Sequence, residues 1–296
     1  MRIIGTLMVR DEVDVVAAMV EHHLDQGVDL IVVTDNASVD GTTEVLAAYE
    51  ALGRVELHHD PEHRKQQHQV VTRMARRART EHRADWVLNL DADEFVFARD
   101  PALTVRQALE ATPLHLNAFT VDVVNMIGPT AESGAGFDRL VWRDHRPEDL
   151  LLERELHGHP TPNAVHRGEC DIVVQQGNHF TSMPSNGQPD PSVALEVLHL
   201  PWRSWEQFER KVVNAGRGYE ASPHLRPSPK HHGMRDYRLW KEGRLHATYD
   251  ARCPSPAEFD DWAARGWVEH DTRLLDRLTD LRSRALRPDL LEASLG

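Results

Sequence analysis

The residues best placed to do chemistry are three carboxylates, Asp91, Asp93 and Glu94, which close the apolar run Trp86-Val87-Leu88-Asn89-Leu90. Acidic side chains are costly to bury unpaired, so a cluster at the end of a buried run suits a cation. Oxygen ligands favour a hard divalent ion such as Mg2+ or Mn2+. One of Asp91 and Asp93 on the ion and the other on a ribose hydroxyl is a natural division of labour; the alternative is a solvated acidic turn. Two more acidic points follow apolar runs: Asp11 and Glu12 after residues 3–9, and Asp35 after residues 30–34. Asp35 can accept hydrogen bonds from a base or sugar, or cap its own turn, and Asp40 is expected to hold that turn. A basic group lies further on. His199 ends an apolar run and is followed by Arg203, Arg210 and Lys211 around an expected helix start, a combination suited to an anion. His199 is a candidate metal ligand or phosphate donor, with a buried structural imidazole as the alternative. His179, in Gly177-Asn178-His179-Phe180, is a weaker candidate for the same role.

Such groups meet only if their carriers are neighbours in a fold. Residues 3–95 read as strand, helix, strand, helix, strand, helix, strand, the order of a parallel sheet with right-handed crossovers. In that sheet the carboxyl ends share one edge, where ligands bind. Asp11, Glu12 and Asp14 fall where the first helix should begin and complement its dipole. Val16, Met19, Val20, His23 and Leu24 recur at helical spacing before Gly27, and Val45, Leu46, Tyr49 and Leu52 do so before Gly53. Residues 66–79 place Val70, Val71, Met74 and Ala78 on one helical face and arginines on the other. The second half is less regular. A short helix is expected over 104–110 and a strand over 118–127. Residues 128–168 show no period and read as long loops. Short strands are expected over 172–174 and 193–199, then a helix opened by a capping box of Ser204 and Gln207. Residues 222–232 read as a mobile segment. The tail from Asp271, with Leu274, Leu275, Leu278, Leu281 and Ala285, reads as an amphipathic helix packed on the domain, or alternatively at a dimer contact. The expected class is α/β, with a mostly parallel central sheet flanked by helices, an irregular second half and C-terminal helices.

The chain has 296 residues, 40% hydrophobic and 27% charged, in the range of a soluble globular protein. A net charge of −13 leaves no surplus of Lys and Arg to neutralise nucleic-acid phosphates, so no nucleic-acid partner is expected. Cys170 and Cys253 make neither a disulfide framework nor a zinc pattern, which fits a reduced, intracellular setting. The first residues are interrupted too early by Arg10, Asp11 and Glu12 for a signal peptide. No apolar run approaches the roughly 20 residues of a spanning helix. The 19 histidines decide nothing by number, and His157, His159, His231 and His232 are given no role. Neither Gly-x-Gly-x-x-Gly nor a Walker-type loop occurs, so bound phosphates would depend on a metal and basic side chains.

Taken in order, Arg10-Asp11-Glu12, Glu21-His22-His23-Leu24, Gly27-Val28-Asp29 and the stretch from Thr34 to Thr42 resemble the opening of family 2 glycosyltransferases, and more closely their relatives around family 92. Asp91-Ala-Asp93-Glu-Phe resembles that group's Asp-x-Asp strand. Val197-Leu198-His199 through Arg203, Ser204 and Lys211 resembles its later His and basic helix segment. The resemblance implies a GT-A fold, a UDP- or GDP-sugar donor and a carbohydrate or small-molecule acceptor. It puts Arg10 and Glu12 near the nucleotide, Asp35 at the nucleobase, and Asp91 and Asp93 at the ribose, the diphosphate and its Mn2+ or Mg2+. His199 falls at the metal or diphosphate, with Arg203 and Lys211 near the leaving phosphates. Asp11 departs from the more usual Asn or Lys, and residues 121–133 depart from the relatives on the acceptor side. Residues 1–220 would then form the transferase domain, and 221–296 a mobile segment and helical extension on it, in a cytoplasmic enzyme without an integral membrane segment. The expected reaction is an inverting transfer in which Asp93, His199 and Arg203 are catalytic and the base is one of Asp122, Glu153, Glu155 or Asp190. A nucleotidyltransferase is disfavoured by the missing Gly-rich, Lys-containing loop. A non-catalytic nucleotide- or sugar-binding protein is disfavoured by the Asp-x-Asp together with His199.

Overall fold

Four apolar runs in the first third become four parallel strands: β1 (Ile3–Val9), β2 (Leu30–Asp35), β3 (Val55–His59) and β4 (Trp86–Leu90). The computed structural model describes residues 1–62, 66–154, 156, 158–222 and 232–295. The strands lie side by side in the order β3, β2, β1, β4, all parallel, with Val9 opposite Asp35 and Leu7 opposite Leu90. The helices α1 (Val16–Asp25), α2 (Thr42–Glu50) and α3 (Gln67–Thr80) connect them. Alternate residues along a strand face opposite ways. Ile3, Leu7, Ile31 and Val33 therefore join the core that holds α1 and α2, and Ile4, Val32 and Val87 join Val70, Val71 and Met74 of α3. Helices on both faces explain why these strands are almost wholly apolar. The first helix differs in detail from expectation. It begins at Val16 with no acidic residue in its first turn, because the Glu12 and Asp14 side chains turn away to ion-pair elsewhere.

The chain parts from the parallel sheet immediately after β4. The apolar run ends at Leu90, as its closing carboxylates suggest, and past the turn at Asp91 a further strand, β5 (Glu94–Ala98), starts antiparallel to β9 (Leu195–His199). A capped helix, α4 (Val105–Ala111), leads to the ten-residue β6 (Ala118–Ile127). That strand serves three neighbours in turn: β8 (Asn163–Arg167) along residues 118–121, β9 along 122–125 and β7 (Trp142–Asp144) along 126–127. Residues 128–168 are thus not the long loops expected. They hold β7, α5 (Glu148–Glu153) and β8, each too short to show a period. The strand expected over 172–174 is reduced to a single bridge between Val174 and Thr181.

Past a 3-10 turn at Pro191–Val193, α6 (Trp205–Glu220) runs back across the sheet edge. It is covered by α7 (His232–Lys241) and α8 (His246–Arg252) through Phe208, Val212, Tyr237, Leu245 and Tyr249. Gly216 makes that contact possible, since a Cβ there would lie 2.1 Å from the Tyr237 ring. The expected mobile stretch lies largely in residues 223–231, outside the described residues. Beyond β7 the sheet is extended by β10 (Val268–His270), on which α9 (Pro256–Ala264) packs through Phe259 and Trp262. The single tail helix expected is two, α10 (Arg273–Leu281) and α11 (Pro288–Leu295), whose Leu274, Leu278, Leu281 and Leu291 join the core beside α1. Among the described residues no helix is long and apolar enough to cross a membrane.

One polar clasp in this core bears on the site. His22 and His23 of α1 are both buried against Val96 of β5. His22 Nε2 donates to the Val96 carbonyl at 2.8 Å, and His23 Nε2 accepts from the Val96 amide at 3.3 Å. Burial draws both imidazoles below their ordinary value, His23 to about 4, so the pair is neutral. The strand that leaves the acidic turn is stapled to the first helix.

Candidate active site

The turns after β1 and β2 interlock. Asp35 is buried, and its carboxylate accepts from the Ser38 hydroxyl at 2.5 Å, the Thr43 hydroxyl at 2.6 Å and the Ser38 amide at 3.2 Å. Asp40 accepts from Thr42 and from the Val13 amide, joining the second turn to the first. Asp11 sits at φ +54 with one carboxylate oxygen on the Val39 amide at 2.8 Å and the other on Asn214 of α6 at 2.8 Å. These carboxylates are spent on their own turns and on α6. The position expected to meet a nucleobase, Asp35, caps its own turn instead, for the elementary reason that Ser and Thr three and eight residues on offer nearer donors. The departure at Asp11 likewise serves architecture.

The acidic turn between β4 and β5 is different. Asp93 is 3% exposed, and its Oδ2 is approached by three cationic or potentially cationic groups: Lys211 Nζ at 2.5 Å, Arg203 Nη1 at 3.5 Å and His199 Nε2 at 3.6 Å. Burial pushes this carboxyl up, but Lys211, His199 and Arg203 outweigh burial and hold it well below the usual range. Among the described residues the Asp91 carboxyl accepts from Asn178 Nδ2, at 3.2 Å, and it is raised by burial and by Asp93. Glu94, which accepts from Asn163 Nδ2 at 2.7 Å, is raised well above its ordinary value by burial and by both aspartates. Glu12 is raised as well, by burial first, against the pull of Arg203. Glu12, Asp14, Asp91, Asp93 and Glu94 thus share three permanent cations, Arg203, Arg210 and Lys211. The five carboxyl groups at this rim outnumber its three permanent cations.

The basic residues on α6 and just before it divide into two kinds. Arg203 is fully buried, paired with Glu12 and with Asp14 at 2.9 Å. Its charge is held by these carboxylates against the cost of burial. It braces the first turn against the acidic one and does not reach the cleft as a phosphate ligand would. Lys211, with 44% of its side chain exposed, lines a cleft of about 250 Å³ together with Arg10, Asn36, Gln66 and Asn214. The start of α6 is also not the anion site it suggested. The Trp205 amide donates to the Ala131 carbonyl at 2.9 Å, the Glu206 amide to Glu132 at 3.1 Å, and the Gln207 amide to the Ser204 hydroxyl at 3.2 Å. With those donors taken, no backbone cradle remains. The capping box is only half built, since the Gln207 side chain makes no return bond.

Asp91, Asp93, His199, Arg203, Glu12 and Lys211 are therefore brought together. Arg10 is at the cleft with Nη1 on the Asn36 carbonyl at 2.5 Å. His199 is oriented through Nδ1, 2.9 Å from Asn125 Oδ1 on β6. The base candidates lie elsewhere. Asp122 is 63% exposed and paired with Arg99, Asp190 caps the 3-10 turn through Ser192, and Glu153 is exposed on α5. Glu155 and His157 lie outside the described residues. Four contributors escaped sequence reasoning: Asp14, Asn125, Asn163 and Asn178. The asparagines carry no periodic signal, although Gly177 before Asn178 marks a backbone that must turn. Asp91, Asp93 and His199 supply oxygen and imidazole donors suited to a divalent ion, and Asn178 Oδ1, buried beside Asp91, has no partner. Among the described residues, however, no three such ligands stand ready-grouped around a common point, because Asp93 is turned to Lys211.

Residues 4–121 match the family model described as glycosyltransferase family 92. Over those residues the chain is similar to glycosyltransferases. No curated protein sequence matches it. Among solved structures, the chain is similar to residues 1–349 of S. aureus TarS, at 10% identity over 81% of this chain and 72% of that one, with a TM-score of 0.42. It is also similar to glucosyl-3-phosphoglycerate synthase from Mycobacterium tuberculosis, solved with Mg2+ and UDP, at 16% identity over 56% of each chain and a TM-score of 0.32.

Proposed function

We propose that the protein transfers a sugar from a nucleoside-diphosphate sugar, with a UDP or GDP leaving group, to an acceptor hydroxyl with inversion, and that a divalent ion serves the acidic turn. The observation that carries this reading is the surplus of carboxyl groups over permanent cations around Asp91 and Asp93, beside a cleft lined by Lys211 and Arg10. Asp91 and Asp93 would hold Mn2+ or Mg2+, with His199 Nε2 facing them. When bound, the ion supplies charge neutralisation for the departing diphosphate. The chain's own contribution is electrostatic. Lys211 can turn from Asp93 to a phosphate oxygen, where a positioned cation stabilises charge that grows only as the bond breaks. Arg203 keeps Glu12 and Asp14 fixed, and Asn125 fixes the His199 ring.

Incubating the protein with UDP- and GDP-sugars and Mn2+ or Mg2+ tests the reading. Release of nucleoside diphosphate is expected, together with a rise in melting temperature on donor binding and loss of turnover in chelator. Pyrophosphate release from a nucleoside triphosphate and a sugar phosphate would point to a nucleotidyltransferase instead. Full turnover in chelator, or in Asp93→Ala, would sink the role given to the acidic turn.

A further inference from the structure

Gly177-Asn178-His179-Phe180 has no part in the donor chemistry above, yet it is fastened to the acidic turn twice. Asn178 Nδ2 donates to Asp91, and His179 Nδ1 lies 3.1 Å from Asn163 Oδ1. The other end of the Asn163 amide, Nδ2, donates to Glu94 Oε2 at 2.7 Å. With its nitrogen spent on Glu94, Asn163 presents its oxygen to the imidazole, so Nδ1 carries the ring proton and Nε2 keeps a lone pair. Glycine at 177 keeps a side chain off that edge of the ring. Gly177 adopts φ +84, and a Cβ there would lie 3.0 Å from Nε2 and 2.9 Å from Cδ2. The ring is half-buried. Burial draws it below its ordinary value against the opposing pull of Asp91 and the Pro162 carbonyl, so it is neutral near pH 7. Asp91 is close enough to favour the imidazolium once a proton arrives. Among the described residues, the carboxylates first considered for proton removal, Asp122, Glu153 and Asp190, are exposed.

We propose that His179 is the base that takes the proton of the acceptor hydroxyl, with Asn163 as the residue that positions it. This rests on the transferase reading given above. The acceptor oxygen bonds to the anomeric carbon as that carbon's bond to the diphosphate oxygen breaks. The electron pair of the broken bond leaves with the diphosphate, and the hydroxyl proton passes to Nε2.

Water can stand in for the acceptor. Hydrolysis of UDP-glucose, UDP-galactose, UDP-N-acetylglucosamine and GDP-mannose is measured with Mg2+ as release of nucleoside diphosphate. In His179→Ala, kcat is expected to fall about 10²- to 10⁴-fold. The melting-temperature rise given by UDP or GDP should be unchanged, and added imidazole should restore part of the rate. His179→Gln keeps the packing and should show the same loss. Asn163→Leu, which frees the ring to rotate, should lower kcat with the donor KM unchanged. Turnover in His179→Ala within about threefold of wild type, or loss of the nucleotide-induced shift along with turnover, would overturn the assignment. If the wild type turns over none of the donors, this proposal and the transferase reading both fall. If the wild type turns over and His179→Ala keeps pace, only the base is lost.

Discussion

Two acidic turns stand at the same edge of the sheet, one joining β2 to α2 and the other joining β4 to β5, and they are built on opposite plans. In the first, Asp35 and Asp40 are answered mainly by hydroxyls and amides of residues 38–43, within their own turn, with the Val13 amide on Asp40 and the His59 ring 3.8 Å from Asp35. In the second, Asp91, Asp93 and Glu94 find almost no local donor. They are answered from a distance by Lys211, His199, Asn178 and Asn163, and incompletely. A carboxylate satisfied by its neighbours in sequence is scaffolding. One that waits for partners a hundred residues away, with charge to spare, is available to a ligand.

The sharpest way to break this contrast is to remove one member of each turn. Asp93→Ala is expected to lower kcat/KM by roughly 10³-fold or more, the scale lost when a group acting on developing charge is removed. Asp35→Ala is expected to lose about 1–3 kcal/mol of stability from broken hydrogen bonds and only a few-fold in donor affinity. Kinetics and urea unfolding on both variants check this, and equal kinetic damage would erase the distinction. Next in size is the pair of cations. Arg203→Met strands Glu12 and Asp14 in the interior and should cost about 3–5 kcal/mol, whereas Lys211→Met should leave the unfolding midpoint nearly unchanged while slowing turnover about 10²-fold.

Acid should act on the scaffold in a defined window. His23 and His166 are buried with folded values of about 4 against an ordinary 6.5. Between those limits the unfolded chain binds more protons, so stability is complete above pH 6.5, falls as pH drops toward 4 and flattens below that for these two groups. Urea midpoints at pH 7.5, 6 and 5 should decline in that order, and His23→Gln should reduce the slope. The smallest effects belong to the solvent-facing carboxylates. Asp122→Asn and Asp190→Ala should stay within about 0.5 kcal/mol of wild type and within twofold in turnover, measured side by side with the acidic-turn variants.

The first four strands were legible because strands covered on both faces leave uninterrupted apolar runs, and the helices between them carry plain 3.6-residue spacing. The partition of the carboxylates was not legible, because Asp35 and Asp93 are identical at the end of identical runs until Ser38 and Thr43 are seen beside one and Lys211 beside the other. Arg203 was misjudged for the same reason. Its place at a helix start suggests an anion-binding group, and only the folded chain brings Glu12 and Asp14 around it. The strand β5 was not foreseen, because Glu94 reads with Asp91 and Asp93 as one acidic cluster closing the run before it, although it opens the next strand. In residues 128–168, elements of three to six residues cannot display a repeat.

Arg203 also sets a limit on how the chain can be divided. The segment that matches the family ends at residue 121, but the guanidinium that neutralises its first turn enters from residue 203, and the ammonium against Asp93 from residue 211. A fragment cut at the end of the match would keep the acids and lose their counterions. Evolution can trim the outer helices of such a chain more easily than it can sever the front of the sheet from the helix that balances its charge.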